Sequence, residues 1–247
     1  VTRYVELHCK SNFSFLEGAS HADELMSRAA ELNYAGLAIT DRNSVAGIVR
    51  AHLAAKECGL KLLHGTEIAF DQQKIVLLAS DRKSYGAISA LITAARRRSA
   101  KGRYSLSRAD VERLAGTGTL VISITESEDD ARWVAERFAG HAWLAAELHC
   151  GPNDRARLDL LDGISRKSGL PLVAAGEVHM HLRSRRRLQD VLTAVRLGKP
   201  VSQCGQALFP NGERHLRLRM RLAQLYPAPW LAQTAEIAAR CRPQGYF

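Results

Sequence analysis

Short apolar runs alternate with amphipathic helical stretches along most of this chain, and that alternation restricts the fold more than any other feature. Strand-like runs fall at 4–9, 36–40, 60–63, 75–79, 120–124, 142–148 and 172–175, with a loop expected between the fourth run and the one before it. Helical spacing occupies 22–32, 44–58, 84–97, 106–115, 126–138, 154–168 and 185–197. Ser20 stands where a cap would open the first helix, Gly59 closes the second, and Glu128, Asp129 and Asp130 favour the positive end of the fifth. Helices that return the chain to start each new strand imply an α/β fold with a mainly parallel sheet. Seven or more such units in roughly 200 residues fit a closed or distorted barrel better than an open doubly wound sheet. After Gly198 the periodicity fades through 199–219, and a further helical stretch follows at 228–241. The chain therefore reads as one domain over 1–198 and, over 199–247, a linker leading into the start of another unit.

Charge and cysteine content narrow the function classes. The formal net charge of +10 favours polyanionic partners, nucleic acid above all. The five cysteines are odd in number and form no C-x-x-C pair, which argues against a zinc knuckle or a disulfide framework. Reduced thiols in a cytoplasmic protein are the plain expectation. No run of about 18 apolar residues calls for a membrane span, and the first ten residues read as a strand rather than a secretion signal. Gly116, Thr117 and Gly118 read as a turn. No Walker loop and no G-x-S-x-G motif occurs.

Metal-capable side chains fall at nearly every strand end, namely His8, Asp41, Glu67, His149, Glu177 and His179. Imidazole and carboxylate donors suit zinc, manganese or iron, and a cluster of such ions activates water for phosphoester hydrolysis. Each residue alone has a plainer reading, a helix cap for the aspartate or a structural hydrogen bond for a histidine. Six in one topological position argue for a shared pocket, at the end of the barrel where such folds place their chemistry.

Specific stretches then resemble one family. Residues 6–20 (ELHCKSNFSFLEGAS) look like the opening motif of PHP domains in C-family DNA polymerase α subunits. Ala38-Ile39-Thr40-Asp41 and Gly65-Thr66-Glu67 resemble the second and third motifs. Residues 173–181 (VAAGEVHMH) and 209–215 (FPNGERH) resemble the error-prone branch, where the latter leads toward the polymerase core. The resemblance implies a distorted (βα)7 PHP barrel over 1–198 and a truncated start of the polymerase core over 199–247. It implies an amino-terminal domain of a polymerase acting in damage-induced translesion synthesis. DNA would be reached through the full-length protein, with the polymerase core as partner in cis and other translesion or replication proteins as further partners. The magnesium ions of nucleotidyl transfer would belong to that core. The alternative is a free-standing metal-dependent phosphoesterase.

Departures from the family pattern decide how the pocket is read. Where the family offers His-x-His, this chain has His8-Cys9-Lys10. Where it offers Asp-His, this chain has Asp41-Arg42. Lys74 stands at a further ligand position. Ammonium and guanidinium groups have no lone pair to give a metal. Lys10, Arg42 and Lys74 are therefore expected to replace metal charge by ion-pairing with Asp41, Glu67 and Glu177. The domain then carries no cofactor and acts as a structural support; the competing arrangement is a single zinc or manganese ion on His8, Glu67 and His179. His181 does not fit the family position. Arg183, Arg185, Arg186 and Arg187 are candidate DNA-backbone contacts. Arg96, Arg97 and Arg98, with Lys101 and Arg103 beside Tyr104, read as a solvated helix end.

Overall fold

Side chains two apart along a strand share one face, and here the inward faces are apolar at one end of the barrel and charged at the other. The structure, a computed structural model, describes residues 3–242; the outermost parts of the expected first strand and of the expected tail, 1–2 and 243–247, lie outside them. Seven strands form one nearly closed sheet in chain order. They are β1 (Val5–Glu6), β2 (Gly36–Ile39), β3 (Leu62–Phe70), β4 (Gln73–Leu78), β5 (Leu120–Ile124), β6 (Ala142–Glu147) and β7 (Leu172–Ala175). β1, β2 and β3 pair in parallel, as do β5, β6 and β7. β4 runs antiparallel to both neighbours, which is the distortion in an otherwise parallel barrel. Instead of the loop expected after residue 63, β3 continues to Phe70 and turns back at Asp71 and Gln72. Both have left-handed backbones, with φ of 44° and 65°, as a two-residue hairpin that follows the strand twist requires. The apolar run was broken by His64, Thr66 and Glu67, which are buried although polar.

Val76 and Leu78, Leu120 and Ile122, Trp143 and Ala145, and Val173 and Ala175 pack together with Val5, Leu7, Ala38 and Leu63 as an interior cluster. The opposite strand faces meet the surrounding helices: α1 (Ala22–Glu31), α2 (Ile48–Cys58), α3 (Arg82–Arg97), α4 (Arg108–Glu112), α5 (Glu128–Arg137) and α6 (Asp154–Ser168); α7 (Arg186–Leu197) follows β7 in the chain. The segment after Gly198, expected as a linker, packs back onto the barrel. Within it α8 (Arg219–Leu225) leads to α9 (Ala228–Arg240), and Ile237, Ala238 and Cys241 join the interior cluster. The amide of Val5 donates to Thr234 Oγ1 at 3.1 Å. Buried Tyr226 donates to the Ala175 carbonyl at 3.0 Å and accepts from the Leu148 amide at 3.0 Å.

Closure between the first and last strands rests on backbone and one carboxylate. Val178 N donates to His8 O at 2.9 Å, and Lys10 N donates to Val178 O at 2.8 Å. Buried Glu6 accepts from Gly176 N at 2.9 Å, His8 N at 3.0 Å and the Tyr4 hydroxyl at 2.8 Å. A Cβ at residue 176 would stand 2.4 Å from Glu6 Oε2, so glycine is required there by close approach. Gly176→Ala is expected to destabilise the fold by about 1–3 kcal/mol through overpacking. Urea denaturation should show a lower midpoint at unchanged slope.

Candidate functional site

Beyond the apolar layer the inward strand faces continue as charge. Glu67 lies two and four residues past Gly65 and Leu63 on β3, Lys74 two before Val76 on β4, and Glu147 two past Ala145 on β6. Glu67 is the hub. Its Oε2 accepts from His8 Nε2 at 2.9 Å and from Lys10 Nζ at 3.0 Å, with Lys74 Nζ at 3.8 Å. The other ring nitrogen of His8 meets Glu147 Oε1 at 2.6 Å. Lys10 also pairs with Glu17 at 3.1 Å, and Arg42 holds the second oxygen of Glu17 at 2.6 Å. Glu177 receives Arg214 through Nη2 at 2.8 Å and Nε at 3.0 Å, with Lys74 at 3.6 Å. Its backbone φ of 43° is uncommon for a side-chain-bearing residue and costs about 1 kcal/mol or more; the cations converging on its carboxylate hold it there.

The protonation states follow from these contacts. Burial opposes charge on His8, but Glu147 and Glu67 on its two nitrogens overcome that and raise its pKa to about 9. Burial also opposes charge on Lys10, and the carboxylates of Glu67, Glu17 and Glu177 again prevail, so its pKa rises. Despite burial, Glu67 is held well below the usual carboxylate range by His8, Lys10 and Lys74. Glu177 is held there by Arg214, with His179, His8 and Lys74 adding to it. Burial lowers His179 to about 3, and Lys10 adds to the effect. Its Nδ1 faces the Glu17 carbonyl at 3.1 Å, and its ring packs edge-on against Phe209. The Nε2 atom of this neutral ring is buried without a hydrogen-bond partner among the described residues. Burial, reinforced by Arg214, lowers the pKa of His149, whose Nε2 meets the Gly176 carbonyl at 3.2 Å.

Asp41 departs from the expected pairing. Its carboxylate accepts from Ser11 N at 2.8 Å, Ser11 Oγ at 2.7 Å and Ser14 Oγ at 2.7 Å, and Arg42 turns to Glu17 instead. Burial raises the Asp41 pKa, with the serine donors working against it. Of the six expected pocket residues, His8, Glu67, Glu177, His149 and His179 lie in or against the charge network, while Asp41 braces the loop that follows β1. Sequence reasoning missed Glu17, Glu147 and Arg214 as members. Glu147 was signalled by strand parity. Glu17 and Arg214 sit inside the two quoted motifs, but only the folded chain brings them to Lys10 and Glu177.

As folded, the donor set is taken up by the chain's own groups. Both ring nitrogens of His8 are engaged by carboxylates, Glu67 and Glu177 are in contact with Lys10, Lys74 and Arg214, and Asp41 is taken up by Ser11 and Ser14. Among the described residues no group of three or more His, Cys, Asp or Glu is arranged to hold a metal ion. In the second basic cluster, Arg183 pairs with Glu213 at 3.5 Å, Arg185 with Glu24, and Arg186 with Asp190 at 2.7 Å, while Arg187 is exposed. These internal pairs take up much of the charge that was assigned to DNA backbone.

A distorted barrel with acidic and imidazole groups at the strand ends defines a class, and residues 6–142 match the PHP domain family; the chain belongs to that family. It is 54% identical over 246 residues to the error-prone DNA polymerase of Dechloromonas aromatica, covering 96% of this chain and 24% of that polymerase. It is 50% identical over 244 residues to the error-prone DNA polymerase of Pseudomonas aeruginosa, covering 98% and 24%. The chain thus spans about a quarter of the length of the curated relatives it matches. Among solved structures, it is similar to a Bifidobacterium adolescentis protein assigned as a metal-dependent phosphoesterase, with a TM-score of 0.56 at 20% identity over 72% of this chain and 88% of that one. It is also similar to an amidohydrolase from Chromobacterium violaceum, with a TM-score of 0.53 at 16% identity over 71% and 87%. These two likenesses concern the fold alone.

Two outcomes follow from the network. Lys10→Met would leave the carboxylates of Glu17 and Glu67 facing each other in a buried site, and a loss of about 3–5 kcal/mol is expected in chemical denaturation. The second concerns pH. A raised His8 pKa means that the bound proton stabilises the fold fully below the unfolded value of 6.5, and that this contribution is lost as pH rises through about 9. That interval corresponds to about 3 kcal/mol. Denaturation midpoints of the wild type should fall from pH 6.5 to 9.5, and His8→Gln should start lower and stay flat.

Proposed function

We propose that this chain is a metal-free PHP domain that braces the core of an error-prone DNA polymerase. The observation that carries the reading is Glu67, bound at once by His8, Lys10 and Lys74 where metal-binding relatives would hold cations of another kind. Glu17, Glu67, Glu147 and Glu177 supply four negative charges. Lys10, Arg42, Lys74, Arg214 and protonated His8 answer them with five positive charges, so every one of these carboxylates has a cation without a divalent ion. High similarity to polymerases four times as long supports placing the domain within such a protein. Nucleotidyl transfer, its magnesium ions and the main DNA contacts belong to the remainder of that polymerase. The work of this domain is mechanical: a rigid barrel against which the core can rest.

Elemental analysis of the tag-free protein, paired with a phosphodiesterase assay in added manganese, tests the reading. No stoichiometric metal and no turnover are expected. Two or three ions per chain, with hydrolysis abolished by His8→Ala, would replace the brace by a working phosphoesterase. In the polymerase that contains this domain, Lys10→Met should lower thermal stability and nucleotide incorporation together. Unchanged incorporation by a polymerase whose PHP domain had melted would remove the bracing role.

A further inference from the structure

Beside the mouth of the ion-pair network runs an open groove whose lining the bracing role does not require. Phe13, Phe15 and Tyr104 line it together with Arg42, Arg96 and Arg103, around a volume of about 730 Å3. Phe15 is 82% exposed. A single exposed phenylalanine is ordinary, but three aromatic rings sharing one groove with three arginines form a patch. Glu17 also lines the groove, and both of its oxygens are already held, by Lys10 and Arg42. Arg96 gives one nitrogen to the Asn43 carbonyl at 2.9 Å and is otherwise exposed. Arg103 is exposed and makes no ion pair among the described residues. The groove is therefore cationic and aromatic, with its one carboxylate neutralised.

The aromatic edge is held in place. Asp41 accepts three hydrogen bonds from Ser11 and Ser14, which stand two residues before and one residue after Phe13, and Phe15 follows directly. Arg42 N donates to Ser14 Oγ at 3.0 Å. Gly18 closes the loop, where a Cβ would stand 2.0 Å from the Ser11 carbonyl oxygen. Tyr104 is joined to the opposite side by Arg42 Nε at 3.4 Å. Rings presented on a fixed loop lose little conformational entropy when a ligand stacks on them.

We infer that this groove binds single-stranded nucleic acid, with bases stacked on Phe13, Phe15 and Tyr104 and phosphates held by Arg42, Arg96 and Arg103. Guanidinium forks match phosphate oxygens in pairs, and every base offers a π face, so aromatic platforms between cations serve a strand of any sequence. An acidic protein segment would satisfy the arginines but would leave the exposed rings without regular partners. The net charge of +10 favours the same ligand. The inference goes beyond the bracing role and does not depend on it, since the contacts need neither metal nor polymerase core.

Fluorescence anisotropy of the protein with a labelled oligothymidylate of about 15 nucleotides tests it. Binding is expected to weaken with salt at a slope near −2 in log K against log salt, about 0.7 for each of three phosphates. Phe15→Ala and Arg103→Glu should each weaken binding about tenfold or more, with thermal melts confirming folded variants. Arg155→Glu, on the exposed face of α6, matches the charge change and should leave affinity within about twofold of the wild type once the long-range term is screened. Absence of binding at low salt, equal weakening by Arg155→Glu, or indifference to Phe15→Ala would overturn the proposal. So would binding to polyglutamate but not to the oligonucleotide, which would assign the groove to an acidic protein segment. A negative result here leaves the metal analysis untouched, so the two readings fail separately.

Discussion

One carboxylate oxygen carries more of this structure than any other atom. Glu67 Oε2 is approached by His8 from β1's extension, by Lys10 two residues later, and by Lys74 from the antiparallel β4. Burial this deep would ordinarily protonate a glutamate, yet the surrounding cations hold its pKa down. Attraction between ions in a poorly solvated site is strong, but desolvation of each partner is of similar size, so the network contributes little net stability as a whole. Its consequence is interdependence. Removing a shared member such as Lys10 leaves two buried carboxylates with fewer cations between them, which makes the set costly to dismantle piece by piece.

The apolar barrel beneath makes this arrangement possible. Val76, Leu78, Ile122 and Ala145 exclude water from the interior, and α9 adds Ile237 and Ala238 at the same cluster. The strands therefore deliver their next inward residues into a dry space with fixed spacing. β4 has a particular part in this. Because it runs against its neighbours, its start rather than its end lies beside the carboxyl end of β3, and Lys74 at that start can reach Glu67. In a wholly parallel barrel that position would belong to the opposite end. The antiparallel strand is thus the feature that brings a lysine to the site.

Much of the architecture was legible because burial imposes periodicity. β5, α6 and β7 have the bounds that the apolar spacing indicates, since their buried positions are the ones that the period marks. The long β3–β4 hairpin was hidden for the opposite reason: its polar residues His64, Thr66 and Glu67 look like loop in a sequence but are buried in the fold. The segment after Gly198 was read as a linker because its buried residues, among them Leu216, Leu222 and Tyr226, are too widely spaced to form a period. At the site, residue types pointed to the replacement of metal ligands by cations, yet partner choice was not readable. Arg42 is adjacent to Asp41 and pairs with Glu17. Arg214 is 37 residues from Glu177 and pairs with it. Such choices depend on which way each side chain leaves its strand, and sequence proximity carries no information about that.

Asp41 links the interior of the pocket to its rim. With no cation against it, a carboxylate in this position must be satisfied by neutral donors, and Ser11 and Ser14 provide three. Those same bonds fix the loop that projects Phe13 and Phe15. A residue type suited to metal ligation therefore acts here as an anchor for a surface feature. Arg42 makes the same connection from the other side, because it neutralises Glu17 within the network and presents the rest of its guanidinium to the groove.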